Sequence, residues 1–95
     1  MFKTVQNRGF QMTFENGWTI SVQFGTGNYC EARSIAPGDY DAPMNTPDRV
    51  WKSSDAEIAI WDAQGNWHKF KNGDTVKGWC TPNEVAQWIG KVSKW

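Results

Sequence analysis

FQMTFENGWTISVQF, the stretch from Phe10 to Phe24, decides how this chain folds. Phe10, Met12 and Phe14 alternate with Gln11 and Thr13; beyond a short break, Trp18, Ile20, Val22 and Phe24 alternate with Thr19, Ser21 and Gln23. Successive side chains of a strand point to opposite faces, so this period of two marks two strands, each with one buried face. The break is Glu15-Asn16-Gly17. A two-residue Asn-Gly turn would pair Phe14 with Thr19 and set apolar against polar residues. A three-residue loop pairs Phe14 with Trp18, Met12 with Ile20 and Phe10 with Val22, which keeps the apolar face whole. It asks Gly17 to adopt the left-handed conformation of a bulge. The three-residue loop is expected.

Outward from this hairpin, Gly25-Thr26-Gly27-Asn28 ends the second strand, and residues 29–33 suit a short third one. Residues 34–54 hold Pro37-Gly38, Pro43 and Pro47 and few apolar groups. Long loops in compact domains are usually functional or mobile, so this one is the first place to expect a binding site. Alternation returns at Ala56, Ile58 and Ile60, with turn residues at 62–66, a strand at 67–70, turn residues at 71–74 and a strand at 75–79. That reads as a three-stranded meander. Thr81-Pro82-Asn83-Glu84 starts a helix: Thr81 can cap, Pro82 suits the first helical position, and Glu84 completes a capping box. Val85, Trp88, Ile89 and Val92 then form one apolar stripe at i, i+3, i+4 and i+7, facing the sheet. Gly90 weakens the helix by about 1 kcal/mol relative to Ala, so its end could fall there or at Ser93. The expected fold is a single α+β domain over residues 1–95: an antiparallel sheet of five to six strands, hairpin plus meander, packed by one C-terminal helix.

A chain of 95 residues buries roughly two-thirds of its unfolded surface in one core. Only 39% of the residues are hydrophobic, but seven are Trp and five Phe. Rings that each bury roughly 150–250 Å² can replace many aliphatic residues, so an aromatic core is expected. Trp18, Trp61, Trp67, Trp79 and Trp88 fit such a core; Trp51 and Trp95 do not. The formal net charge of zero argues against a duplex nucleic-acid binder, which needs surplus Lys and Arg. Charge is uneven, however: residues 35–62 carry six acids against Arg49 and Lys52, and residues 63–95 carry five lysines against Asp74 and Glu84. A solvated mixed surface explains this, as does docking of opposite faces.

MFKTVQNRGF lacks the apolar run of a secretory signal, and no stretch approaches the roughly 18 apolar residues of a membrane span. Cytoplasmic residence follows as the expectation, with Cys30 and Cys80 reduced, buried and unpaired. His68 is the only histidine, which leaves no Ser/His/Asp or Cys/His set; with Cys30 and Cys80 it shows no metal-ligand spacing. No metal and no cofactor are expected. Asp39 and Asp41 flank Tyr40 beside Pro37-Gly38 and read as turn formers before they read as acid–base groups. Residues 25–28 lack the rest of a phosphate-binding fingerprint, although glycine turns expose N–H groups to anions.

Residues 14–25, FENGWTISVQFG, followed by Gly27-Asn28-Tyr29-Cys30, resemble the opening of small uncharacterised accessory proteins of tailed bacteriophages. The likeness extends to the capped helix over residues 81–92. It implies a setting, the cytoplasm of an infected host, in which such proteins block defence by sequestering a nucleotide signal or capping an effector protein. The leading expectation is thus a non-enzymatic protein that binds a small nucleotide-like ligand. Tyr29, Tyr40 and Trp51 would stack, Arg33 and Arg49 would meet phosphates, and Asn28 would lie in the adjoining glycine turn. The alternative is an inhibitor that binds a host protein through an exposed aromatic patch. A homodimer is compatible with either, since an open sheet leaves edges.

Overall fold

A computed structural model describes residues 1–5, 8–25, 29–30 and 53–95. The hairpin is built as the alternation requires. Strand β2 (Gly9–Thr13) pairs antiparallel with β3 (Thr19–Gln23), Phe10 opposite Val22 and Met12 opposite Ile20. The loop closes with Phe14 N–H donating to Trp18 O at 2.9 Å, and Gly17 takes φ +88°. A Cβ at Gly17 would be strained there and would meet the Ala63 side chain at 3.1 Å.

Around this hairpin the described residues form a sheet of five strands in the order β1-β2-β3-β4-β5, all antiparallel. The first is β1 (Phe2–Thr4), the fourth β4 (Ala56–Trp61) and the fifth β5 (Val76–Cys80). β1 carries no alternation signal because, as an exposed three-residue edge, it has no buried face to encode. Of the strand expected at 29–33, Tyr29 and Cys30 form a bend instead; Glu31, Ala32 and Arg33 lie outside the described residues, as does most of the 34–54 loop.

The expected strand at 67–70 is a correction. Trp67 makes one isolated bridge to Trp61, and His68 N–H donates to Ile60 O at 2.8 Å. Further along the same edge of β4, Ala59 lies opposite Val76 and Ala56 opposite Cys80. Six residues of β4 thus serve two segments in turn, and no strand intervenes between β4 and β5.

Helix α1 (Pro82–Val92) starts with the full capping box: Glu84 N–H donates to Thr81 Oγ1, and Thr81 N–H to Glu84 Oε1, both at 3.2 Å. It runs through Gly90, which therefore does not end it. Val92 is completely buried, and Asn16 Nδ2 in the β2–β3 loop donates to Val92 O at 2.9 Å and Trp95 O at 3.1 Å. The hairpin loop holds the far end of the helix.

Helix and sheet enclose a core that is aliphatic rather than aromatic. Among the described residues Ile20, Ile58, Ile60, Val92, Cys30 and Cys80 are its largest fully buried side chains. Burying each Ile contributes about 1.5–3 kcal/mol. Phe70 is the one buried aromatic among the described residues; Phe10, Phe14, Trp18, Phe24 and Trp88 are half-buried and pack around it. Trp67 and Trp79, expected inside, are 49% and 53% exposed. Cys30 and Cys80 are buried and not disulfide-bonded, as expected.

Strand register sorts the other face of the sheet. Gln11, Ser21, Ala59 and Val76 form one row across it, Thr13, Thr19, Trp61 and Trp67 a second, and Gly9, Gln23 and Glu57 a third. Gly9 is required here, since a Cβ would stand 2.1 Å from Val22 O.

Candidate functional site

Leaving β4, the chain makes an Asp62-centred turn. Asp62 accepts from the N–H groups of Gln64 (2.9 Å) and Asn66 (2.8 Å) and from Asn66 Nδ2 (3.1 Å), with Gly65 at φ +85°. The Asn66 bonds, chiefly, hold the Asp62 carboxyl below the ordinary aspartate range. After the bridge at Trp67 the chain turns toward the helix side. His68 packs at 5.1 Å against Phe70 and 4.9 Å against Trp95, and Phe70 meets Trp88 edge-on at 5.1 Å. A second turn follows, closed by Phe70 N–H to Asp74 O and by Asp74 N–H to Asn72 Oδ1, both 2.9 Å, with Gly73 at φ +86°.

Against helix α1 the 68–72 segment leaves a groove of about 630 Å³. Its wall is aromatic: His68, Phe70 and Trp88. Its rim is cationic, with Lys69 and Lys71 from the 67–72 segment, Lys77 from β5, Lys91 from the helix, and Asn72 beside them. Lys91 Nζ stands 4.8 Å from the Trp88 ring centroid, a cation–π distance. Lys77 has a long contact to Glu84 at 3.9 Å, too exposed to neutralise it firmly. Aromatic surface ringed by ammonium groups can hold a flat group that carries negative charge.

His68 therefore sits among the aromatics. Trp95, expected outside the core, meets Trp18 edge-on at 4.8 Å and packs against His68 at 4.9 Å.

Of the residues expected to bind, Asn28, Arg33, Tyr40, Arg49 and Trp51 lie outside the described residues, as do Asp39 and Asp41. Tyr29 is described, and it is exposed. Its N–H donates to Glu57 Oε2 at 2.7 Å, and its carbonyl accepts from Trp79 N–H at 2.9 Å. It does not reach the groove, lining instead a separate hollow with Trp79 at the β5 edge. The groove was missed although a signal existed: four of the five lysines responsible for the positive excess of residues 63–95 line it. Sequence separation between Lys69 and Lys91 hid their convergence.

Among the described residues no group of three or more His, Cys, Asp or Glu could hold a metal ion, and no helix is long and apolar enough to cross a membrane. Comparison of the chain with protein-family models, curated proteins and solved structures finds no match.

Proposed function

We propose that this is a non-enzymatic phage-type accessory protein that captures a nucleotide-like anion in the lysine-rimmed groove, in the host cytoplasm, as a counter to a defence signal. One observation supports the ligand class: Lys69, Lys71, Lys77 and Lys91 meet from three separate parts of the chain around the rings of His68, Phe70 and Trp88. A nucleotide matches both halves of that lining. Its base can lie on an aromatic wall, where stacking is worth about 1–3 kcal/mol per base. Its phosphates suit ammonium groups, which act as mobile point charges. The phage setting rests on the sequence resemblance alone.

A thermal-shift screen against a nucleotide library tests the reading. A true ligand at 100 times its dissociation constant stabilises by about 2.7 kcal/mol, and Lys69→Glu with Lys91→Glu should abolish the shift while leaving the free fold intact. The reading fails if no nucleotide stabilises, or if the charge-reversed variant responds as wild type does. Equal stabilisation by pyrophosphate would remove the rings from the binding role.

A second reading, an inhibitor seated on a host protein, is favoured by Trp79. This half-exposed ring is carried on a left-handed backbone, φ +58°, beside exposed Tyr29. Such strain in a bulky residue is found where surrounding structure imposes it, often at functional surfaces. Capture of a specific partner from bacterial lysate by wild type but not by Trp79→Ala would support it; equal capture by both would count against it.

A further inference from the structure

We infer that the sheet face opposite the helix carries a second binding site, for a single neutral hydroxylated ring of the sugar type. Ser21 and Ala59, adjacent in the central row, are the smallest side chains of their neighbourhood, and larger groups stand around them. The result is a hollow of about 260 Å³, rimmed by Trp61 and Trp67 on one side and by Gln23 and Glu57 on the other, with Gln11 at one end. That volume lies just under the roughly 300 Å³ at which pockets for drug-sized ligands begin, and so suits one ring.

The lining specifies the chemistry. Among the described residues it contains one carboxylate and no cation, which turns away the anions favoured by the lysine groove. Trp61 and Trp67 stack at 5.0 Å with 31° between planes, leaving Trp67 half exposed at the hollow. The electron-rich face of an indole attracts weakly positive C–H groups such as those on one side of a sugar ring. Hydrogen-bonding capacity is also waiting. Glu57 receives Tyr29 N–H on Oε2, while its Oε1, the Gln11 amide and both indole N–H groups have no partner among the described residues. Planar amides and carboxylates that donate and accept in fixed directions match vicinal hydroxyls, whereas a purely apolar ring would leave them unpaired. Gln23, whose Nε2 donates to Ser21 Oγ at 3.1 Å, extends the same polar edge.

The site is independent of the lysine groove, and its test reads separately. The ¹⁵N-labelled protein is titrated with glucose, galactose, mannose, N-acetylglucosamine and their β-1,4 disaccharides, with adenosine and AMP as controls. Trp61 and Trp67 indole signals are assigned from single Trp→Phe variants. At least one saccharide should shift both indole signals and the Gln11 side-chain amide, with a dissociation constant on the order of 1 mM. Glu57→Gln keeps an acceptor for Tyr29 N–H and should weaken binding roughly tenfold; Trp67→Ala should abolish it, and Lys69→Glu should leave it unchanged. The inference is overturned if no saccharide moves these signals at about 100 times that concentration. It is equally overturned if the shifts survive in both Trp67→Ala and Glu57→Gln, or if only adenosine or AMP produces them.

Discussion

Trp79 is the residue whose backbone and surroundings disagree most. Between Ala56 and Ile58 the register of β5 slips by one residue, and Trp79 falls at that bulge with φ +58°. Bulge positions commonly take glycine because a Cβ is crowded there. With its ring half exposed, the side chain recovers little by burial. Trp79→Gly should therefore leave the urea midpoint unchanged or raise it, whereas the β-branched Trp79→Val should cost about 1–2 kcal/mol. If glycine destabilises as much as valine does, the left-handed backbone is not strained. Asp62 offers a second residue-level test. Its carboxyl lies below its ordinary range when folded, so its contribution is present above the unfolded pKa and lost as pH falls through the folded one. Melting temperature should decline on acidification, and Asp62→Asn should show a shallower acid decline.

Among elements, the helix is stabilised at both ends, but by different means. At the start, Thr81 and Glu84 satisfy each other's backbone donors within four residues of sequence. At the end, the satisfying group is Asn16, 76 positions away from Val92. Its side chain also accepts Trp18 N–H at 3.0 Å, so one amide joins the hairpin loop to the helix terminus. Thr81→Ala should cost about 1 kcal/mol. Asn16→Ala, losing three hydrogen bonds at once, should cost about 1–2 kcal/mol and speed amide hydrogen exchange at Ser93, Lys94 and Trp95. Unchanged exchange there would mean that the helix end holds without the loop.

For the molecule as a whole, the division of labour between isoleucine and tryptophan is the main lesson. Ile20, Ile58 and Ile60 occupy the interior, while the tryptophans among the described residues are spread over its margins and the opposite face of the sheet. Ile60→Ala should cost about 2–5 kcal/mol in urea unfolding. Trp67→Ala should cost about 1 kcal/mol or less, since it forfeits mainly one ring contact with Trp61. The reverse order would restore the aromatic core that composition alone suggests.

Local signals carried far where the physics is local. Alternation from Phe10 to Phe24 determined the hairpin, its register and the φ of Gly17, and the run from Thr81 to Val92 determined the helix and its cap, because side-chain period and turn chemistry act between near neighbours. The two candidate sites depended on contacts that no period encodes. Lys69 and Lys91 meet only because Phe70 turns the chain under the helix. Gln11, Glu57 and Trp67 meet only because three strands lie in one register. Which aromatics stayed outside was likewise settled by packing: a space narrow enough to be filled by Ile and Val from the sheet and helix leaves indole rings at its edge.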